Sequence, residues 1–284
     1  MSSPNLTPSS PIRPLSIGNI VSAGFQLYRS HFKQYLGLAC KALLWALIPV
    51  YGWAKASTIN AAISRLAFQD LVNQPESTST ARDQLEPKLW QFLVVQLLVG
   101  LILFGVNFGL SIAQAILVGI LGTFFGAEST LTGLVSAVIG IAVFVAYIWA
   151  YSRFFIPDVV LALENQVDGT KAISRSWELT QGHVLRLQGV VLVAGLITFP
   201  LIALAVIPMI LAIASLAAVA IPGGGLGAGN LSLFFISLLV SVVLIIFVSI
   251  VTAPFWQAIK AAVYYDLKGR REGMGFKLRD RGTL

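Results

Sequence analysis

Apolar positions in this chain do not alternate; they come in long unbroken runs. Five are visible, at about 34–54, 89–125, 131–152, 187–221 and 231–256. A run of 18 or more apolar residues can cross a bilayer core of roughly 30 Å as a helix. Repeated ten-residue alternating segments, the mark of a membrane β-barrel, are missing. The pattern predicts an all-α, polytopic transmembrane helical bundle.

Two runs are awkward in length. At about 1.5 Å per residue, 89–125 would make a helix of roughly 55 Å, long for one crossing and tight for two. Run 187–221 has the same problem, and Pro200 and Pro208 should kink or break it.

Between the runs lie two amphipathic stretches. Lys171, Arg175, Glu178, Gly182 and Arg186 share one helical face, with Ile173, Trp177, Thr180 and Val184 opposite. This predicts a helix over 171–181 lying in the headgroup plane. Trp177 would be its anchor, Thr170 its N-cap and Gly182 the bend into the next span. Residues 17–32 repeat the design with Phe25 as anchor. Set in register, Val21–Leu38 and Ile173–Val190 match at Ser22/Ser174, Leu27/Leu179, His31/His183 and Gly37/Gly189. Two parallel halves follow, 15–165 and 166–284, each beginning with a surface helix.

Composition agrees with a lipid environment. The chain is 57% hydrophobic and 11% charged, with a mean hydropathy of +0.84, too few charges to coat a soluble domain of this size. The net charge of +7 gathers beside the apolar runs, which argues for orientation and anionic headgroups rather than nucleic acid. Basic residues before the first run and after the last place both termini in the cytoplasm, so the number of crossings is even. The 126–130 and 222–230 links read as external. If 34–54 crosses and 89–125 folds into two short spans near Gly105–Ser111, there are about six crossings and 55–88 is external. The other count has 34–54 broken at Pro49 as a re-entrant pair and 89–125 crossing once. The first is the expectation taken here. Residues 1–14, rich in Ser and Pro, are expected to be a disordered tail.

Candidate chemistry is sparse. The one cysteine, Cys40, excludes an intramolecular disulfide and a multi-cysteine metal site. Nothing resembles a metalloprotease helix, a phosphate loop or a carboxylate cluster, so no metal or cofactor is expected and no enzymatic role. Arg175, His183 and Arg186 in one half, and Arg29, His31 and Lys33 in the other, form the candidate sites for anionic phospholipid headgroups. Topogenesis alone would also explain them. Lys41 lies in the first run and either snorkels to the interface or serves a function. Asn107, Ser111 and Gln114 follow one stripe, as a solute path or as hydrogen-bonding groups between helices.

Three segments carry a resemblance. AISRSWELTQG (Ala172–Gly182), FFIPDVVLALEN (Phe154–Asn165) and AVYYDLKGRREG (Ala262–Gly273) resemble the signatures of a mostly uncharacterised bacterial multi-pass membrane family, similar to the membrane region of some glycerophosphodiester phosphodiesterases. The resemblance implies a helical bundle with cytoplasmic ends in the bacterial cytoplasmic or other inner membrane. It implies no activity, because the catalytic barrel of those enzymes is a separate domain. The reading is of a non-enzymatic membrane protein with a scaffold, assembly or lipid-interacting role, whose partners are membrane lipids and either a membrane protein or further copies of itself. The alternative is a small-solute or lipid transporter with a polar path near Asn107 and Gln114.

Overall fold

A computed structural model describes residues 16–217 and 228–271. The expected N-terminal tail, the glycine triplet at 223–225 and the basic stretch after 271 lie outside the described residues. Within them the chain is helical and carries no strand: α1 (Ile17–Ser30), α2 (Phe32–Ala46), α3 (Tyr51–Leu71), α4 (Thr78–Leu85), a 3-10 turn at Glu86–Lys88, α5 (Leu89–Phe125), α6 (Thr130–Arg153), α7 (Pro157–Leu163), α8 (Gly169–Thr180), α9 (Val184–Ala217) and α10 (Ala228–Arg271).

Four helical stretches are long and apolar enough to cross a membrane: Thr78–Phe125, Thr130–Leu163, Val184–Ala217 and Gly229–Arg271. The first apolar run does not supply one. It bends at Leu47–Val50 into the hairpin α2–α3. Pro49 cannot continue α2 with a normal hydrogen bond, and Val50 adopts φ 59°, ψ −73°, a costly conformation for a β-branched residue. The elbow is tight enough that a Cβ at position 52 would lie 1.9 Å from the Trp45 carbonyl oxygen, so only Gly52 fits. The hairpin carries α3 back beside α7, where Arg65 Nη1 donates to Ala162 O (2.9 Å). Lys88 Nζ, after α4, donates to Leu161 O (3.0 Å) and Glu164 O (2.8 Å). Residues 55–88 therefore share a side with 153–186, and the expectation that a crossing separates them is corrected.

Residues 89–125, expected to fold back near Gly105–Ser111, form one uninterrupted helix. Each glycine weakens a helix by only about 1 kcal/mol, whereas a turn inside hydrocarbon would strand several backbone groups. Likewise α9 runs through Pro200 and Pro208, and α10 through Pro254. Side chains compensate there. Ser241 Oγ donates to Ala205 O (2.9 Å) and Tyr28 Oη to Val251 O (3.0 Å). Both acceptors lie three residues before a proline, in the turn whose ladder the ring disturbs.

The helices make two hairpins, α5–α6 and α9–α10, joined laterally by α6 and α9. Their outer faces are bare hydrocarbon; Leu101, Phe104, Val138, Leu196 and Leu239 are all exposed. Only 6% of the most apolar window of Thr130–Leu163 is buried inside the protein, whereas a helix in water hides a broad apolar stripe. These surfaces fit lipid tails.

At one end the spans enter a compact head of α1–α4, α7, α8 and the near ends of α5, α6, α9 and α10. Its core is well packed: Tyr35, Ile63, Phe92, Phe155, Ile156, Val159, Leu161, Leu179 and Tyr264 are almost fully buried. Every Lys and Arg of the described residues belongs to this end, since 89–152 and 187–259 contain neither. All six tryptophans lie on it or where it meets the spans. Aromatic side chains at one level mark a bilayer interface.

Candidate functional site

The conspicuous polar structure is a knot where α7, α8 and α10 meet the head. Glu164, just after α7, sits at its centre. Tyr264 Oη donates to its Oε1 (2.8 Å), Lys268 Nζ approaches to 3.7 Å and Arg175 Nε lies 3.6 Å from Oε2. Beside it Asp266, with a side chain 3% exposed, takes Arg270 Nε at 2.9 Å and Arg186 Nε at 3.3 Å. Lys260 Nζ donates to Asp158 Oδ2 (2.8 Å), and Arg271 reaches the carbonyl of Gln181 (3.2 Å). The three segments 154–165, 172–182 and 262–271, far apart in sequence, thus close on one another. Their polar residues fasten the second hairpin to the head.

Trp177 has a specific partner. The Arg153 guanidinium lies 4.2 Å from its ring centroid and 5.4 Å from that of Trp149, and also donates to Trp177 O (3.2 Å). Arg153 thus packs between two indole faces, while Asp158 pairs with Lys260. Ser176 Oγ donates to Arg153 O (2.9 Å), which locks α8 onto the end of α6.

The α8 helix differs from expectation in two respects. Asp168 is the N-cap in place of Thr170: its carboxylate accepts the Lys171 N–H (2.8 Å) and the Thr170 hydroxyl (3.0 Å). The Lys171 bond, followed by the Thr170 bond, holds the Asp168 carboxyl below its usual range. The buried face is Ala172, Ser176, Leu179 and Thr180; of the expected apolar face, Thr180 and, beyond the bend, Val184 are buried, while Ile173 and Trp177 lie roughly a quarter turn away at 100° per residue. Small residues at 172 and 176 let α8 pack on α5 and α7, which leaves Trp177 at the margin, 39% exposed. Gly182 does make the bend, with φ +81°.

The six candidate headgroup residues do not form one cluster. Arg175 lies between Glu164 and Glu178, and Arg186 lies against Asp266. His31, at the joint of α1 and α2, has Nδ1 3.1 Å from Asp70 Oδ2. His183 stands at the α8–α9 joint; burial first, then Arg270 and, more weakly, Arg186 and Arg271, lower its pKa against the opposing pull of Asp266. Arg29 and Lys33 are exposed and make no ion pair among the described residues. Phe25 meets Phe255 edge-on at 6.5 Å and is 45% exposed. Asn107 is exposed on α5, and Gln114 Nε2 faces α6, 3.7 Å from where a Cβ on Gly140 would stand. Gln114 thus lies where α5 and α6 meet.

Lys41 belongs to a groove that sequence inspection missed. A cavity of about 420 Å³ opens between α2, α3 and α4, lined by Lys41, Trp45, Lys55, Thr78, Arg82 and Glu86 among others. Glu86 bonds to Lys55 and lies 3.3 Å from Arg82, while Lys41 makes no ion pair among the described residues. The groove stands one turn above the α2–α3 elbow, where Trp45, Leu47, Ile48, Val50, Tyr51 and Trp53 are exposed. Tyr51 ties that elbow to Trp90 at the start of α5, with ring centroids 6.4 Å apart. Only long-range folding unites these residues, which span positions 38–86; the presence of a lysine inside an apolar run was the one signal available. Among the described residues no group of three or more His, Cys, Asp or Glu converges in a way that could hold a metal.

Comparison with curated proteins and with solved structures finds no match. One family model covers residues 54–267, from the second turn of α3 to the Asp266–Leu267 end of the polar knot, and so takes in both hairpins and all three knot segments. The chain belongs to the DUF7847 family, a domain of unknown function.

Proposed function

We propose that the chain is a non-enzymatic integral membrane protein that binds anionic lipid headgroups on its cytoplasmic face and has a scaffold or assembly role in the bilayer. The observation that carries this reading is the one-sided distribution of charge: every Lys and Arg of the described residues lies at the head, and the 126–129 turn opposite carries Glu128 alone. By the positive-inside rule the head is cytoplasmic and the chain crosses four times, as two hairpins. Both termini then lie on the head side, and each proposed half, 15–165 and 166–284, contributes two crossings. The matched joints α1–His31–α2 and α8–His183–α9 support parallel halves, with α2–α4 elaborating the first. The likeness of the knot segments to the membrane region of glycerophosphodiester phosphodiesterases supports a membrane module of the bacterial inner membrane that works beside other proteins or further copies of itself.

Arg29 and Lys33, exposed and without an ion pair among the described residues, are the residues best placed to meet headgroups. Each basic residue near an anionic surface contributes about 1 kcal/mol. The test is native mass spectrometry of the protein released from membranes with its lipids retained. Arg29→Ala with Lys33→Ala lowers the share of anionic lipid carried by the protein. An unchanged lipid profile in that variant refutes headgroup binding at this face.

A further inference from the structure

We propose that the groove between α2, α3 and α4 is a specific site for a phosphate monoester carried on a hydrocarbon tail, that is, a lipid phosphate drawn from the cytoplasmic leaflet. The inference rests on the lipid-binding reading above and narrows it to one pocket and one headgroup chemistry.

Depth is the first argument. Lys41 precedes the end of α2 by five residues and Lys55 follows the start of α3 by four, so both stand roughly 6–8 Å above the elbow at helical rise. The elbow is a patch of exposed tryptophan, tyrosine and aliphatic side chains, a composition suited to the boundary of headgroups and acyl chains. Trp90 lies at the same level on the first residues of a membrane-length helix. The groove therefore opens in the headgroup layer.

Charge is the second argument. Lys41, Lys55 and Arg82 contribute three positive charges to the lining and Glu86 removes one, which leaves +2. A doubly ionised monoester matches that balance, whereas a phosphodiester carries a single charge and leaves one cation unmatched. Among the described residues Lys41 has no carboxylate of its own, and the hydroxyls of Thr78 and Ser79 border the same space. Shape is the third. About 420 Å³ falls within the usual range for small-molecule pockets, and Leu38, Trp45 and Ile59 supply apolar wall for the first part of a tail. Charge-assisted bonds to phosphate oxygens, sheltered by that wall, are stronger than surface ion pairs.

The experiment uses the full chain in nanodiscs of phosphatidylcholine doped with phosphatidate, with phosphatidylglycerol in a parallel set, and native mass spectrometry to count retained lipid. The parent retains one phosphatidate in preference to phosphatidylglycerol. Lys41→Ala weakens that retention about tenfold, the effect of losing one charged hydrogen-bond partner. Lys41→Arg restores most of it, and Glu86→Gln tightens it. Because Lys41 is exposed and makes no ion pair among the described residues, its removal leaves the fold intact, which an unchanged unfolding temperature verifies. Arg29→Ala with Lys33→Ala depletes loosely held anionic lipid and leaves the single phosphatidate in place. Equal retention by Lys41→Ala and the parent overturns the groove as the site, even if the Arg29 and Lys33 variant behaves as stated. Equal retention of phosphatidylglycerol overturns the monoester assignment. Displacement of the bound lipid by equimolar inorganic phosphate overturns the lipid tail as part of the ligand.

Discussion

Asp266→Asn is the sharpest probe of how the second hairpin is held. The substitution keeps the size of the side chain and removes its charge. In the parent, the carboxylate is 3% exposed and faces two guanidinium groups at 2.9 and 3.3 Å, whose side chains are 21% and 23% exposed. Removing one partner of a buried ion pair costs about 3–5 kcal/mol. Both arginines reach solvent, so screening brings the figure below that range, to about 2–3 kcal/mol. At about 2–4 °C per kcal/mol for a domain of this order, unfolding followed by tryptophan fluorescence in mild detergent shifts down by roughly 4–12 °C. Arg186→Met costs less than half as much, because Arg270 still neutralises the carboxylate. The two substitutions together cost less than their sum, the mark of a direct coupling. An Asp266→Asn protein that unfolds at the parent temperature refutes the claim that this knot fastens α9 and α10 to the head.

Further outcomes follow from the same geometry. Gly24→Ala destabilises by about 1–3 kcal/mol by overpacking, because the new Cβ would lie 3.1 Å from the Ile259 Cα. Gly37→Ala meets nothing within 4 Å and is neutral or stabilising by up to about 1 kcal/mol; thermal unfolding of the two variants separates them. His183 has a folded-state pKa below its unfolded value of about 6.5, so the unfolded chain binds the extra proton as the pH falls. Stability is therefore lost as pH drops below about 6.5, and His183→Gln flattens that part of the profile of unfolding temperature against pH. In a Cys40→Ser background, a cysteine at Ser129 reacts with a membrane-impermeant thiol reagent applied to intact cells and one at Ser174 does not; the reverse labelling overturns the cytoplasmic head.

The groove and the knot differ in how far they could be read in advance. Arg175, Ser176, Trp177, Leu179 and Gly182 stood out as a motif, yet their partners Glu164 and Arg153 come from other segments, so the motif could be noticed and not explained. Arg186 looked like a free cation because nothing local shows that Asp266, 80 positions away, is buried against it. His31 is likewise met by Asp70 across the head. Of the groove only Lys41 stood out in the sequence: its cations come from α2, α3 and α4, and only the turn at Gly52 brings Lys41 and Lys55 to one level.

The sequence by itself determined the solvent and the class. Long apolar runs, with no Lys or Arg across 89–152 and 187–259, can be satisfied only by helices in hydrocarbon, because each helix closes its own backbone hydrogen bonds. That property is local, so it shows in one dimension. The amphipathic helices before His31 and around Trp177 were legible for the same reason. Whether an apolar run crosses, bends back or continues as one long helix was decided in three dimensions. Residues 34–54 return because Pro49, Val50 and Gly52 close an elbow that then finds a packed head to join. Residues 89–125 stay one continuous helix, because each backbone group finds its partner in the next turn. Hydropathy reports the medium a segment prefers; which neighbour it meets depends on contacts between segments that composition does not encode.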